Sequence, residues 1–203
     1  MAWFVPGGED PSRDIGDQYL ARRRQRLEER KRGEDVFVRL ARRSLETYVR
    51  EHHRLETLPA DLPEELTGRR AGAFVSLKKD GQLRGCIGTI LPTRATLAEE
   101  IVQNAVSACS TDPRFSPVEE SELEDLLYIV DVLTEPERIF SPADLDVRRY
   151  GVIVGSGERR GLLLPDLAGV DTVEQQIEIA RKKGNIGPKD PIDLWRFEVV
   201  RHT

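Results

Sequence analysis

Residues 83–89 read Leu83-Arg84-Gly85-Cys86-Ile87-Gly88-Thr89, and they follow Asp80-Gly81, a dipeptide typical of a tight hairpin turn. The sequence therefore predicts a hairpin whose second strand spans residues 82–90. In a regular strand Arg84, Cys86 and Gly88 share one face, which predicts a cation beside a thiol. Two glycines in one short strand indicate a bulge, or a close approach of backbone or ligand.

The flanking sequence predicts three core helices and further strands around this hairpin. Apolar residues at helical spacing predict a helix from 37 to about 52. Thr96 with Glu99 forms a capping box for a helix to about Cys109, and Thr172 with Gln175 opens a third helix, to Lys183. The other predicted strands are residues 73–77, 127–133, 150–154, 161–164 and 194–200. Without a regular strand–helix–strand repetition, these elements indicate an α+β fold over a mixed or largely antiparallel sheet.

The composition is that of a folded chain with no evident partner. The 203 residues are 38% hydrophobic and 33% charged, and a net charge of -5 favours no class of ligand. No apolar run approaches the roughly 18 residues that cross a bilayer. The N-terminus also lacks the basic start and apolar stretch of a secretory signal, so the two cysteines, Cys86 and Cys109, are predicted to be free thiols in a reducing cytoplasm.

The first 33 residues differ from the rest, which divides the chain into a leader, 1–33, and a domain, 34–203. Between Ala21 and Arg32 the sequence places six arginines and one lysine against two glutamates, with few apolar residues. One interpretation is a basic arm that binds nucleic acid or an acidic partner. The absence of interleaved aromatic residues favours a solvated helix or a flexible leader instead.

Cys86 is the residue with the widest chemical range in the hairpin. A nearby guanidinium favours thiolate over thiol, which would suit a nucleophile, a redox thiol or a soft metal ligand. The alternative is a small buried hydrophobic residue, with Arg84 in a structural ion pair. His52, His53 and His202 form no zinc spacing with the cysteines, and Gly155-Ser156-Gly157 lacks the continuation of a phosphate or dinucleotide loop. The sequence therefore predicts neither a metal nor a cofactor.

The loop Asp112-Pro113-Arg114-Phe115 is the second polar candidate. Pro113 fixes its backbone and Phe115 can anchor it in the core, which leaves Asp112 and Arg114 as polar groups. These two side chains either bind a ligand together or form a structural clamp, with each other or with Arg84. The residue types alone leave both interpretations open.

The seven residues from Leu83 to Thr89 resemble the hallmark of the AMMECR family. Three further stretches agree with that family in the same order, over roughly residues 34 to 201. They are Asn104-Ala105 with Asp112-Pro113-Arg114-Phe115, then Gly151-Val152 with Arg160-Gly161-Leu162-Leu163-Leu164-Pro165-Asp166, and then Ile179-Ala180 before Lys183 and Ile186. The form Leu163-Leu164-Pro165-Asp166 followed by Gly169-Val170-Asp171-Thr172 is similar to the family's bacterial branch, the AmmeMemoRadiSam system A proteins.

The resemblance implies a fold of two unequal lobes with the hallmark strand near the groove between them. It also implies a role beside a radical-SAM protein and a Memo-like protein. Carried over by position, the candidate pocket consists of Arg84, Cys86, Thr89, Asp112, Arg114, Arg160 and Lys183. One stretch departs from the family, because Lys183-Gly184-Asn185-Ile186 stands where the family usually reads Lys-Ala-Gly-Ile.

Two hypotheses for the function follow from these residues. In the first, the groove is a binding module that recognises a partner or a small anionic ligand, which the lack of a histidine or an acid/base pair near the motif favours. In the second, the chain is an enzyme or enzyme component. Cys86 is then the nucleophile or redox thiol, while Arg84, Arg114 and Lys183 hold an anionic substrate.

Overall fold

The computed structural model describes residues 11–203 and contains helices and two antiparallel sheets. The helices of the described residues are α1 (Pro11–Gly33), α2 (Val36–Glu51), α3 (Glu64–Thr67), α4 (Leu97–Ser110) and α5 (Val173–Lys183). The strands are β1 (Ala73–Lys79), β2 (Gln82–Gly88), β3 (Leu126–Leu133), β4 (Glu137–Ile139), β5 (Gly151–Ser156), β6 (Arg159–Leu163), β7 (Asp193–Phe197) and β8 (Val199–His202). Short 3-10 helices cover Glu120–Asp125 and Pro142–Asp144.

The strands form two sheets of four. The first has the order β2-β1-β3-β8 and the second the order β4-β7-β5-β6, and every pair is antiparallel. The β1–β2 hairpin turns at Asp80 and Gly81, which both have positive φ, as a tight two-residue turn requires. In these strand orders β2 forms one edge of the first sheet, and β6 forms one edge of the second.

The first sheet and the helices packed on it make the larger lobe, called lobe one below. Asp35 caps α2 by accepting hydrogen bonds from the backbone N–H groups of Phe37 and Val38. Along β1, residues 73, 75 and 77 are buried against α2 and α4, because alternate side chains of a strand point to the same face. Phe74 and Ser76 consequently lie on the opposite face.

The second sheet and α5 make the smaller lobe, called lobe two. Val152, Val154 and Leu163 lie on the face that packs against Ala180 of α5. The other face of this sheet meets lobe one through an interlobe cluster of buried residues. The cluster consists of Leu133, Ile153, Leu162 and Phe197, with Phe74, Ile90 and Trp195 packed against them.

The structure confirms the predicted α+β class, the antiparallel pairing and the three core helices α2, α4 and α5. Two strand predictions need correction. β2 ends at Gly88, because the chain turns at Thr89 into the loop before α4. The run 194–200 is two strands, β7 and β8, which belong to different sheets.

The N-terminal part of the described chain is helical. Residues 11–33 form α1, and Lys31 donates a hydrogen bond of 2.6 Å to the carbonyl of Glu124. Residues 1–10 lie outside the described part of the chain, so the division at residue 33 stays a prediction. Over the residues that the structure describes, none of the helices combines the length and apolar character of a bilayer-spanning helix.

Candidate functional site

Cys86 lies on β2, the edge strand of the first sheet, directly opposite Ser76. Its backbone groups point away from β1. The N–H of Cys86 donates to Oδ2 of Asp112 at 2.8 Å, and its carbonyl accepts from Nη2 of Arg114 at 3.1 Å. In an antiparallel pair of this kind the opposed side chains approach closely. The Ser76 hydroxyl accordingly lies 3.2 Å from Sγ of Cys86, to which it donates a hydrogen bond.

Asp112 and Arg114 form a clamp on this strand edge. Asp112 accepts hydrogen bonds from Nε of Arg114 at 2.9 Å and from Nη2 at 2.7 Å, and its side chain is only 2% exposed. The Arg114 guanidinium, together with the backbone N–H groups of Cys86 and Arg114, holds the pKa of Asp112 well below its ordinary value. Of the alternatives that the sequence left open, the structure contains the clamp between these two side chains.

Arg84 does not lie beside Cys86, and the predicted shared face is wrong. A β-bulge pairs Leu77 with Gly85 and Lys78 with Leu83, which leaves Arg84 as the extra residue. The guanidinium of Arg84 turns toward Glu122, with Nη2 2.8 Å and Nε 3.0 Å from the carboxylate oxygens. Arg84 thus forms a structural ion pair on the helix side of the sheet.

The cations beside Cys86 are Arg114 and Lys183. Desolvation in the groove lowers the pKa of Lys183 although the residue as a whole is exposed; Arg114 lowers this pKa further, and Cys86 opposes the change. The Cys86 thiol is half-buried. Cys109 differs, because burial in lobe one raises the pKa of its thiol to about 11.

Lys183 reaches this place because α5 ends against the edge strand β6. The last turn of α5 packs closely on the backbone of Arg160 and Gly161. A Cβ on Gly161 would lie 1.9 Å from the carbonyl oxygen of Ala180. Asn185 then takes a left-handed conformation, with φ of 52°, and ends the helix. The departure from the usual family sequence therefore puts glycine at the close approach and asparagine at the left-handed residue.

Thr89 supports the groove through its contacts with α4. Its hydroxyl donates to Oε1 of Glu100 at 2.6 Å and accepts from Nδ2 of Asn104 at 3.2 Å. Glu100 is fully buried and also accepts from the backbone N–H groups of Thr93 and Arg94. Burial alone raises the pKa of Glu100, but hydrogen bonds from Thr89, Arg94 and Thr93 outweigh it and lower the pKa.

Sequence reasoning did not propose Glu100 and Asn104 as part of the groove's support. Both residues fall on the apolar stripe of α4, three residues after Leu97 and Ile101 respectively. A polar residue on a buried helix face needs a hydrogen-bonding partner. That position on the stripe is the sequence feature by which they could have been found.

A cavity of about 550 Å³ opens between the lobes next to this site. Gly88, Ile90 and Leu91 line it from lobe one, and Ile153, Arg160 and Trp195 line it from lobe two. The Arg160 guanidinium lies over the Trp195 ring, 5.2 Å from its centroid. Gly88 is two residues from Cys86 on the same face of β2, so the cavity begins close to Cys86.

The structure thus sorts the predicted site residues into three groups. Cys86, Arg114 and Lys183 lie near one another, Arg160 lines the interlobe cavity, Asp112 and Thr89 support these groups, and Arg84 lies elsewhere. In the part of the chain that the structure describes, no group of three or more His, Cys, Asp or Glu side chains is placed to hold a metal ion. The groove and the cavity together combine one thiol, three cations and an apolar wall.

Comparison with known proteins gives consistent relatives. The sequence profile described as AMMECR1 matches residues 38–202. A protein of Thermotoga maritima is 51% identical over 172 residues, which cover 84% of this chain and 98% of that protein. A Clostridium acetobutylicum protein is 46% identical over 180 residues, covering 89% of this chain and 38% of that protein. The crystal structure of an uncharacterized Pyrococcus horikoshii protein, 33% identical, superposes with a TM-score of 0.74 over 81% of this chain and 88% of that chain.

Proposed function

The chain belongs to the AMMECR1 family, and from that premise we propose that it is a binding and accessory protein whose groove at Cys86 recognises an anionic group. The observation that carries the proposal is the uncompensated charge of Lys183. Among the side chains that the structure describes, no Asp or Glu forms an ion pair with this lysine. A lysine without a carboxylate partner beside a second cation, Arg114, makes the local potential positive, so an anion gains more here than at a surface lysine that is already paired.

Arg114 adds to the attraction for an anion. It is paired with Asp112, but its side chain is still 54% exposed, so one side of the guanidinium faces the solvent of the groove. The clamp keeps this side chain in one orientation, because Asp112 binds two of its nitrogens. A fixed guanidinium loses little side-chain entropy when it binds an anion.

Cys86 offers a direct measurement of this electrostatic field. The thiol is titrated with two disulfide reagents, the dianion 5,5′-dithiobis(2-nitrobenzoate) and the neutral 2,2′-dithiodipyridine, in a Cys109→Ala background. We define the ratio as the rate with the dianion divided by the rate with the neutral reagent, and we expect this ratio to be high at low salt. We expect Lys183→Gln to lower that ratio about 3- to 10-fold, since one unit charge at a few ångströms is worth about 1 kcal/mol in a watery groove.

Lys182→Gln is the matched control for this measurement. Lys182 is the neighbouring residue of α5, but its ammonium is paired with Glu178 at 2.6 Å. Its loss should leave the ratio unchanged. Equal ratios in the unmodified protein and in Lys183→Gln would contradict the proposal.

We extend the proposal to the setting of the protein. The similarity of residues 163–172 to the bacterial branch of the family supports a place in an AmmeMemoRadiSam system, in the cytoplasm, with radical-SAM and Memo-like partners. The Clostridium acetobutylicum relative has most of its length outside the match. This supports the proposal that the matched region is an accessory domain that acts beside other domains or proteins. Complex formation between the purified chain and these two proteins from the same organism tests this setting.

A thiol enzyme is the second candidate, and the Ser76–Cys86 contact favours it. The hydroxyl lies 3.2 Å from Sγ, where it could stabilise a developing thiolate, and two cations lie nearby. Cys86→Ser separates the two candidates. If the chain is a binding protein, Cys86→Ser forms the complex with the two partner proteins normally, while Lys183→Gln weakens that complex at least about 10-fold. Loss of function in Cys86→Ser alone would support the thiol enzyme.

A further inference from the structure

The cavity beside Cys86 has the walls of a site for a small apolar group. Ile90 and Leu91 form one wall and Ile153 and Trp195 the other, so a molecule placed between them loses contact with water on both sides. The volume of about 550 Å³ lies in the range of small-molecule sites in proteins, about 300–1,000 Å³. Apolar burial therefore supplies part of the binding energy at this end of the groove.

Arg160 places a cation on this apolar wall. Its guanidinium folds over the backbone of Gly155, where an added Cβ would lie 2.8 Å from Nη1, and it stacks on Trp195. Nη1 donates to the backbone carbonyls of Gly157 and Arg159. Within the described residues, no carboxylate pairs with Arg160, in contrast to Arg149, which stacks on Tyr150 and also pairs with Glu198.

Arg160 and Lys183 belong to the same edge of lobe two. Gly184, which follows Lys183, packs on the backbone of Arg160, where an added Cβ would lie 2.8 Å from its carbonyl carbon. Arg160, which has no carboxylate partner among the described residues, therefore lies in the wall of the apolar cavity, and its strand packs against the end of the helix that carries Lys183. A ligand with an anionic head at this edge and an apolar body in the cavity satisfies both features.

We propose that the cavity takes a small amphiphilic carboxylate, with its carboxylate at Arg160 and its apolar body against Ile153 and Trp195. This inference rests on the proposed recognition of an anion and specifies the class of ligand. Neither the carboxylate nor the apolar body alone is expected to bind tightly. The cations are too few to hold a small hydrated anion, and a purely apolar molecule would leave the charge of Arg160 without a partner.

Three matched probes test the ligand class by isothermal titration calorimetry with the full chain. The probes are 4-phenylbutyrate, the neutral 4-phenyl-1-butanol and butyrate, which lacks the ring. We expect 4-phenylbutyrate to bind at least 10-fold more tightly than either of the others. Equal affinity for the acid and the alcohol, or for the acid and butyrate, would overturn the proposal.

Variants then locate the binding. Arg160→Gln and Leu91→Ser are each expected to weaken 4-phenylbutyrate binding at least 5-fold; Leu91 is 63% exposed, so its replacement leaves the core intact. Arg149→Gln, the control for a stacked arginine outside the cavity, should bind normally. Equal weakening by Arg149→Gln and Arg160→Gln would overturn the placement.

Anion recognition near Cys86 and the amphiphilic class of ligand are tested separately. If none of the three probes binds while the thiol reagents still show an anion preference that depends on Lys183, the amphiphile is excluded and anion recognition stands. If that preference is also absent, both are wrong. Circular dichroism of each variant verifies that a lost affinity reflects the site and not the fold.

Discussion

At the scale of single residues, most polar groups near Cys86 have a structural task. Asp112 and Arg114 saturate the backbone N–H and carbonyl of an edge-strand residue, which would otherwise have no partner in the sheet. Arg84 neutralises Glu122 on the other face. After these pairs are assigned, Lys183 and the Cys86 thiol are the groups of this region that the fold leaves for chemistry.

The Arg84–Glu122 pair predicts a dependence of stability on acid. Hydrogen bonds from Arg84 lower the pKa of Glu122 from 4.5 to about 2. Since the folded-state pKa lies below the unfolded one, the stabilisation is complete above about 4.5 and is lost as the pH falls toward about 2. Glu122→Gln should cost about 2 kcal/mol at pH 7, and its difference from the unmodified protein should vanish in that acid range.

Urea unfolding at a series of pH values, followed by circular dichroism, measures this difference. Glu124→Gln is the control, because Glu124 lies in the same 3-10 helix with an exposed side chain. It should change stability by less than about 0.5 kcal/mol. A difference for Glu122→Gln that stays constant down to pH 2 would show that the carboxylate is not the titrating group.

The sequence identified the candidate groove only in part, and the reasons lie in particular residues. Cys86, Arg114, Arg160 and Lys183 were expected together by resemblance; the structure places Arg114 and Lys183 near Cys86, and Arg160 in the interlobe cavity. The position of Arg84 could not be predicted, because the two glycines indicate a bulge or a close approach without showing which residue of the strand is the extra one. Gly85 was the available hint, since a Cβ there would lie 2.3 Å from the carbonyl oxygen of Ala108.

At the scale of elements, the sequence was most informative where caps and turns determine the boundaries. The capping boxes at Thr96 and Thr172 start α4 and α5 as predicted. The sequence pattern did not divide the run 194–200 into two strands. The chain passes from one sheet to the other at Glu198, and no glycine or proline marks that position. Hydrogen bonds between Glu198 and Thr134 mark that passage, and they depend on residues distant in sequence.

The contact between α5 and β6 predicts a sensitive glycine. A side chain on Gly161 would overlap the carbonyl of Ala180, so Gly161→Ala should displace α5 and cost about 2–3 kcal/mol in thermal or urea unfolding. Displacement of α5 also moves Lys183. The preference of Cys86 for the dianionic reagent should therefore fall although the lysine is intact.

Gly16→Ala is the control for this substitution. Gly16 lies on α1 with nothing within 4 Å of an added Cβ, and alanine favours a helix by up to about 1 kcal/mol. We expect unchanged or slightly increased stability. A loss in Gly16→Ala as large as that in Gly161→Ala would show that the close approach is not the cause.

Asn185 gives a second prediction for the same element. Its φ of 52° is unfavourable for most side chains, and the turn is held by the backbone, with the N–H of Ile186 donating to the carbonyl of Arg181 at 2.9 Å. Asn185→Ala should cost about 1 kcal/mol, whereas Asn185→Gly should lie within about 0.5 kcal/mol of the unmodified protein. Equal thermal stability of the alanine and glycine variants would contradict the left-handed turn.

At the scale of the whole molecule, the groove depends on how the two lobes are joined. The interlobe cluster fixes Trp195 and Arg160 of lobe two opposite Ile90 and Gly88 of lobe one. The two-lobe arrangement was expected from family resemblance alone, since hydrophobic periodicity shows which face of an element is buried and not which element covers it. The geometry of the groove is consequently a property of the assembled chain.

Phe197 is the test of that connection. It is 2% exposed, and its ring fills the place of a side chain at Gly151, where a Cβ would lie 2.2 Å from the ring. Phe197→Ala should cost about 3–5 kcal/mol, because the cavity that it leaves lies between packed sheets. Much of this loss should fall on lobe two, whose core is smaller, so that the lobes no longer unfold together.

Two probes separate the lobes during urea unfolding. Trp195 fluorescence, in a Trp3→Phe background, reports on lobe two, and the reactivity of Cys109, in a Cys86→Ser background, reports on α4 of lobe one. In the parent background the two transitions should coincide, as a single cooperative unit requires. In Phe197→Ala the Trp195 transition should come at lower urea, while Val200→Ala, at an exposed position of β8, should keep them together. Coincident transitions in Phe197→Ala would mean that contacts outside the interlobe cluster, such as the hydrogen bonds between Glu198 and Thr134, couple the lobes.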